Sequence, residues 1–105
     1  MNENSALLSL LGLAKKAGKL TAGHDAVLES LKRRKSVLIL LAADASPRLE
    51  AEMQREIVFL KADLNIIRMD ETMEDIGRAL PKKAAVLSVN DASFAAGIMK
   101  LVRVD

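Results

Sequence analysis

The amino-acid sequence predicts an α/β protein: a single-domain, three-layer α/β/α sandwich of about four mostly parallel strands, spanning residues 1–105. Three mostly apolar runs predict strands, at residues 36–43, 64–69 and 84–89, and the first is continuous and rich in branched residues, as is typical of a central strand buried on both faces. Stretches with apolar residues at helical spacing separate these runs. Because strands that alternate with helices pair through right-handed crossovers, we expect helices on both faces of the sheet.

The first part of the chain predicts a helix, a small strand and a second helix. Leucines recur at helical spacing over residues 4–17, where Asn4 or Ser5 is a suitable N-cap and Gly18 a suitable end. The segment 19–22 is long enough only for a small strand. The apolar face of the second helix comprises Val27, Leu28 and Leu31.

Capping residues predict where the three later helices begin. Ser46 is a good N-cap, and Pro47 suits the first position of a third helix. Thr72 and Asp75 have the spacing of a capping box for a short fourth helix. Asn90 is a candidate N-cap for the last helix. The apolar positions predicted to face the core are Leu49, Met53, Ile57 and Leu60 in the third helix and Phe94, Ile98 and Leu101 in the last.

Charge is segregated along the chain although the net charge is only +2. Residues 15–35 carry seven Lys/Arg against two acids, whereas residues 44–75 carry nine acids against four Lys/Arg. A molecule with one basic end and one acidic flank can steer a polyanion to a single face. The alternative is that both charged segments serve only to keep the protein in solution.

The composition excludes several classes of function. The chain has no Cys, which excludes disulfides and thiolate chemistry and favours a reducing, cytoplasmic setting. No apolar run approaches the roughly 18 residues of a membrane span. The spacing of Gly12, Gly18 and Gly23 does not fit a dinucleotide-binding fingerprint. His24 and Asp25 supply at most two metal ligands, and nothing marks a Ser as a nucleophile. We therefore expect no enzyme, no cofactor, no metal and no membrane partner.

Aromatic residues are scarce, which limits how nucleic acid can be recognised. Phe59 and Phe94 are the two aromatic residues of the chain, and both fall at positions predicted to face the core. Proteins that read single strands usually stack bases on aromatic side chains. If this protein binds RNA, the sequence therefore predicts recognition of a folded shape through phosphates.

The basic residues surround a helix that begins after a glycine. Unpaired N–H groups at a helix N-terminus favour a phosphate, and glycine permits close approach of a backbone. The run of four basic residues at 32–35 exceeds what stabilisation of a helix C-terminus requires. We predict a close-approach site at Gly23, His24 and Asp25. The predicted phosphate contacts are Lys15, Lys16, Lys19, Lys32, Arg33, Lys82 and Lys83.

Four segments resemble one protein superfamily, and the similarity covers nearly the whole chain. They are LLGLAKKAGKLTAG at residues 10–23, LILLAADASP at 38–47, IGRAL at 76–80 and SVNDASFA at 88–95. Their order and spacing resemble the L7Ae/L30e superfamily of ribosomal proteins, especially its small bacterial members of the YlxQ type. The resemblance implies the α/β/α fold and binding of kink-turn RNA, a sharp bend flanked by sheared G·A pairs.

The resemblance also implies two contact segments, of which one departs from the family pattern. Gly23 matches the family's glycine, but Asp25 stands where Asn is usual, Ala26 where Glu is usual and Glu29 where Lys is usual. Residues 81–83 correspond to the second RNA-contacting segment. An ionised Asp only accepts hydrogen bonds, and Ala makes no polar contact. By analogy with base readout in DNA, a lost base contact costs on the order of 1–3 kcal/mol.

Two functions follow as expectations. The first is non-catalytic binding of structured RNA, kink-turn-like or ribosomal, by a monomer associated with the ribosome or translation and with a ribosomal or other protein as a further partner. The alternative is a protein–protein interaction module of the same fold that has lost kink-turn binding. In that case the acidic segment 44–75 is the relevant surface.

Overall fold

The computed structural model describes residues 5–102, in which five helices alternate with four strands. Asn4, one of the two predicted caps of the first helix, lies outside the described residues. None of the helices in this range is both long and apolar enough to cross a membrane. The elements are α1 (Ser5–Lys16), β1 (Leu20–Ala22), α2 (His24–Lys32), β2 (Leu38–Leu41), α3 (Pro47–Phe59), β3 (Asn65–Arg68), α4 (Met73–Ala79), β4 (Val86–Val89) and α5 (Ala92–Val102).

The sheet has the strand order β1-β4-β2-β3 and is mixed. β2 pairs with β3 in parallel, but β4 is antiparallel to both β1 and β2, so the prediction of mostly parallel strands is wrong. Arg68, which ends β3, and Val86, which begins β4, are both aligned with Leu41. The connection through α4 therefore returns the chain to the end of the sheet that it left. The alternation of helices and strands does not specify this, because it carries no information about strand direction.

Helices cover both faces of the sheet, which confirms the three-layer architecture. α1 packs against α4, α5 and β1 on one face, whereas α2 packs on β1 and β4 and contacts α3 on the other. The two central strands β2 and β4 are buried at every position, as the continuous apolar runs predict. Leu11, Val27, Ile76 and Ile98 bring helix side chains into the same core. Burying one such side chain contributes about 1.5–3 kcal/mol.

The predicted starts of the third and fourth helices are confirmed. The Leu49 N–H donates to Ser46 Oγ at 3.1 Å, and Pro47 occupies the first turn of α3. At α4 the Asp75 N–H donates to Thr72 Oγ1 at 3.2 Å, while the Thr72 N–H donates to the Asp75 carboxylate at 3.0 Å. These caps satisfy N–H groups that the first turn of a helix leaves unpaired.

The last helix begins differently from the prediction. Asp91, not Asn90, caps α5, because its carboxylate accepts the Phe94 N–H at 2.9 Å. The Asn90 side chain instead turns into the molecule and hydrogen-bonds side chains of α2, β1 and β4. Leu101, predicted to face the core, is 37% exposed in the last turn of α5.

Phe59 is a second departure from the predicted core. Its side chain is 79% exposed, and that of the neighbouring Val58 is 74% exposed. Met53 and Ile57 turn the inner face of α3 toward the core. Phe59 follows Ile57 by two residues, about 200° around the helix, and so points outward. Phe94 packs against the core as expected.

Three helices end in the same backbone motif. α1, α2 and α3 are each followed by a residue with positive φ: Gly18 (74°), Arg34 (62°) and Lys61 (55°). In each case the next N–H reaches back to a carbonyl five residues earlier, at 2.8–3.0 Å. This is the Schellman arrangement, which satisfies the last carbonyls of a helix with backbone donors.

Candidate nucleic-acid interface

The two predicted contact segments lie at one end of the sheet. Gly23 follows β1, and its N–H donates to the Val86 carbonyl at 3.0 Å, where β4 begins directly after the loop of residues 81–83. The α2 N-terminus and this loop therefore come together although they are about 60 positions apart. We call this the glycine end; it comprises residues 23–25 and 81–83.

Gly23 adopts a backbone conformation that favours glycine. Its φ of 102° and ψ of 155° are strained for a residue with a side chain, although a Cβ there would meet no atom within 4 Å. Within the described residues 5–102, no side chain caps α2. The first N–H groups of α2 are therefore available to an anion, which the positive end of the helix dipole also favours.

His24 bridges α2 and α3 instead of standing free. Its Nδ1 lies 2.9 Å from Asp25 Oδ1, and its Nε2 lies 2.9 Å from Glu52 Oε2. The hydrogen bond to Asp25, followed by that to Glu52, raises the pKa of His24. Because both ring nitrogens are already engaged with carboxylates, the histidine has no free nitrogen to act as a general base.

Lysines from two elements reach the glycine end. Lys15 on α1 and Lys82 line one cavity of about 270 Å³ together with Ala22. Lys83 lies against α4, where a Cβ on Gly77 would be 2.7 Å from Lys83 Cγ. Real Cβ atoms essentially never approach so closely, so the glycine allows the loop to pack tightly on the helix. Gly77 thus has a packing role in holding the basic loop in place.

Lys16 lies apart from this group, although it follows Lys15 directly. It lines a groove of about 520 Å³ between α1 and α4, together with Leu8, Leu13 and Arg78. Successive residues of a helix point about 100° apart, so neighbouring lysines need not face the same surface.

The remaining predicted contacts lie at the opposite end of α2. Lys19 and Arg33 line a depression of about 580 Å³, and Lys32 is the exposed last residue of α2. Asn90, which follows β4, lies at the same depression, so we call this the asparagine end. A helix of nine residues is about 13 Å long, which separates the two ends. The predicted set is thus divided among three places: the glycine end, the α1–α4 groove of Lys16 and the asparagine end.

Two of the three departures from the family's contact pattern face the asparagine end. Ala26 and Glu29 line its depression, and Glu29 accepts a hydrogen bond from Arg33 Nε at 2.6 Å. This hydrogen bond and the positive charge of Arg33 lower the pKa of Glu29. The carboxylate therefore stays ionised and neutralises part of the local positive charge.

Five residues of this depression are absent from the predicted site: Gly18, Thr21, Ser30, Lys35 and Asn90. Lys35 was counted only within a basic run, and Asn90 was predicted as a helix cap. The sequence does contain one indication of this site, because the polar Ser88 interrupts an otherwise apolar strand. In the structure Ser88 is fully buried. A buried hydroxyl needs hydrogen-bond partners, and these partners lead to Asn90.

The fold and its two basic ends define a small α/β/α protein whose surface suits a polyanion. A model of the ribosomal protein L7Ae/L30e/S12e/Gadd45 family matches residues 5–96, and this chain belongs to that family. The resemblance predicted from the sequence is therefore confirmed.

Relatives and solved structures agree with this membership. The chain is 30% identical over 94 residues to the RNA-binding protein YlxQ of Bacillus subtilis (strain 168), covering 89% of this chain and 91% of the relative. It is 32% identical over 91 residues to the large ribosomal subunit protein eL30 of Euphorbia esula, covering 85% and 80%.

A Bacillus halodurans protein of unknown function superposes with a TM-score of 0.80 at 26% identity, covering 91% of this chain and 95% of that one. The Giardia lamblia 15.5kD RNA binding protein shares the fold, with a TM-score of 0.70 at 19% identity, covering 97% and 88%.

Proposed function

We propose that this protein binds structured RNA, kink-turn-like or ribosomal, without catalysing a reaction, and acts as a cytoplasmic monomer associated with the ribosome or translation. The observation that carries the proposal is the glycine end, where the uncapped α2 N-terminus follows Gly23 and lysines approach from α1 and from the loop 81–83. The names of the two curated relatives, an RNA-binding protein and a ribosomal protein, support it.

The recognition is of shape rather than of single-stranded sequence. Neither aromatic side chain of the chain belongs to the glycine end: Phe59 lies at the C-terminal end of α3, and Phe94 packs on the core. Phosphate contacts by lysines and by the α2 N–H groups position a folded RNA. The Asp25 carboxylate accepts a hydrogen bond from a base edge. Binding is therefore strongly salt-dependent.

Crosslinking in cell extract, followed by sequencing of the retained RNA, tests the proposal. We expect enrichment of RNA with folded motifs, and we expect the double variant Lys82→Gln/Lys83→Gln to retain much less. The matched control is Lys61→Gln/Lys100→Gln, which removes the same charge from exposed positions after α3 and on α5. RNA recovery at background, or equal recovery by both double variants, would refute the proposal.

The second candidate is a protein–protein interaction module that has lost kink-turn binding, with a ribosomal or other protein as its partner. The exposed Val58 and Phe59 favour it, because they lie side by side within the acidic segment 44–75. The same crosslinking experiment separates the two functions. Recovery of one protein partner without RNA, lost in a Phe59→Ser variant, would support the module.

A further inference from the structure

A chain of hydrogen-bonded side chains runs beneath the asparagine end. Ser36 Oγ lies 2.6 Å from Ser88 Oγ and donates to Ser30 Oγ at 3.2 Å, and Ser88 donates to Asn90 Oδ1 at 2.6 Å. The Asn90 amide then donates to Thr21 Oγ1 at 2.9 Å. Ser30 on α2 also donates to Asn90 Oδ1, at 3.0 Å. The bonds from the buried Ser30 and Ser88 through Asn90 run in one direction, toward Thr21.

The direction of these hydrogen bonds determines whether the network offers a donor or an acceptor at the surface of the depression. Asn90 Oδ1 already accepts two hydroxyl hydrogens, so its acceptor capacity is used. Thr21 Oγ1 accepts the amide hydrogen, and no acceptor for its own hydroxyl hydrogen is found among residues 5–102. The network therefore ends in a donor, and Thr21 lines the depression.

The rim of the depression is cationic. Lys19, Arg33 and Lys35 line it, against one carboxylate, that of Glu29, which is already paired with Arg33. The depression thus combines an excess of positive charge with an unused hydroxyl donor. A tetrahedral oxyanion such as a phosphate group satisfies both.

The basic side chains at this end are not needed to satisfy the last backbone carbonyls of α2. The Arg34 N–H donates to the Leu31 carbonyl and the Lys35 N–H to the Ser30 carbonyl, both at 3.0 Å. These backbone donors satisfy carbonyls that basic side chains otherwise compensate at a helix C-terminus. The Lys35 side chain, on an exposed residue, is therefore available to a ligand.

We infer that the depression bounded by Thr21, Lys19, Arg33 and Lys35 binds one phosphate group of an RNA backbone, at the end of α2 opposite Gly23. No aromatic side chain lines it, so nothing there stacks a base, and a phosphodiester fits better than a free nucleotide. This inference rests on the proposed function for the source of the phosphate. The bound RNA then contacts both ends of α2.

Titration of a fluorescent kink-turn hairpin tests this second site. We expect Lys35→Gln to weaken binding and to lower the slope of log K against log salt by about 0.7–0.9, the value for one lost phosphate contact.

Thr21→Val should weaken binding about tenfold, as for a lost hydrogen bond to a charged group, and Thr21→Ser should restore it. Lys61→Gln is the control, because Lys61 follows α3 on the β3 side, the far side of the sheet from β1. Equal salt slopes for Lys35→Gln and Lys61→Gln would overturn the inference.

Amide resonances of ¹⁵N-labelled protein distinguish the source of the phosphate and separate the two proposals. We expect the Asn90 side-chain amide to shift when the hairpin is added and not when inorganic phosphate is added at the same ionic strength. A shift of Asn90 that saturates with inorganic phosphate, without any RNA dependence, would assign the depression to the free ion and refute the RNA contact. Shifts at Gly23 without shifts at Asn90 refute this inference alone, whereas no shifts with either the hairpin or the RNA recovered by crosslinking refute the proposed function.

Discussion

Glu29 shows how one side chain can alter the binding surface without altering the fold. It is exposed on α2, and its carboxylate holds Arg33 Nε at 2.6 Å, which withdraws that cation from any bound anion. Its neighbour one turn earlier, Ala26, offers no polar group in compensation. Both lie on the wall of the asparagine-end depression.

Glu29→Lys is expected to tighten binding to a kink-turn hairpin several-fold. It frees Arg33 and replaces a negative charge by a positive one beside the RNA. The matched control is Glu74→Lys on α4, which makes the same charge change in another exposed i,i+4 pair, with Arg78. The measurement is the Kd of both variants by fluorescence anisotropy. An unchanged Kd for Glu29→Lys would favour the interaction module.

Glu71 is a buried carboxylate without a partner for one oxygen. The residue is 2% exposed, and within residues 5–102 its Oε1 has no hydrogen-bond partner. Burial raises the pKa of this carboxyl above its usual value of 4.5. The folded state therefore binds the proton more tightly than the unfolded state, so stability is highest below that value and falls as pH rises through the folded pKa.

Glu71→Gln is expected to remove this pH-dependent penalty. Relative to the parent, the variant should gain on the order of 1 kcal/mol in unfolding free energy at neutral pH, since each pKa unit by which burial raises the parent carboxyl costs about 1.4 kcal/mol once it ionises, and little at acid pH. Urea unfolding at about pH 4 and about pH 7.5 measures the difference. Asp63→Asn, at an exposed position before β3, is the control. A gain that is equal at both pH values would contradict the role of the buried charge.

At the scale of elements, the helix ends have similar geometry but different chemistry. α1 ends at Gly18, whereas α2 and α3 place Arg34 and Lys61 at the positive-φ position. The left-handed conformation costs a residue with a side chain roughly 1–2 kcal/mol. A glycine at that position avoids this cost, although it adds entropy to the unfolded chain.

Arg34→Gly and Lys61→Gly are each expected to raise the unfolding free energy by roughly 0.5–1 kcal/mol, the net of these two terms. Gly18→Ala should lower it, because the φ of 74° strains an alanine although a Cβ there has open space. Urea unfolding of the three variants measures both signs. A loss of stability in Arg34→Gly alone would mean that its side chain makes a stabilising contact.

At the scale of the whole molecule, α2 sets the distance between the two basic ends. Its nine residues form a helix about 13 Å long, with Gly23 before its first turn and Lys35 after its last. Groups so far apart, without shared partners, act independently on one bound RNA. The overall charge of +2 hides this arrangement, in which the acidic segment 44–75 meets the glycine end at Glu52, 2.9 Å from His24 Nε2.

Combining Lys82→Gln/Lys83→Gln with Lys35→Gln is expected to give additive losses of binding free energy. The loss in the triple variant should equal the summed losses of its parents within about 0.3–0.5 kcal/mol. Kd values for the kink-turn hairpin at one fixed salt concentration provide the test. A triple variant no weaker than the double variant would show that the RNA never reaches the asparagine end.

Much of the fold and part of the site follow from the sequence by itself. The apolar runs determined where three of the strands lie, and Ser46, Thr72 and Asp75 determined where two helices begin. Gly23 determined where β1 ends and α2 begins. Each of these features depends on residues within a few positions of one another, so local chemistry is sufficient to specify it.

Only the tertiary structure decided how distant parts of the chain meet. It set the antiparallel direction of β4, and it divided the basic residues between two ends of α2. It joined Thr21 to Asn90 and His24 to Glu52, pairs far apart in the chain. Strand direction and side-chain partners of this kind arise from the packing of whole elements, for which neighbouring residues carry no signal.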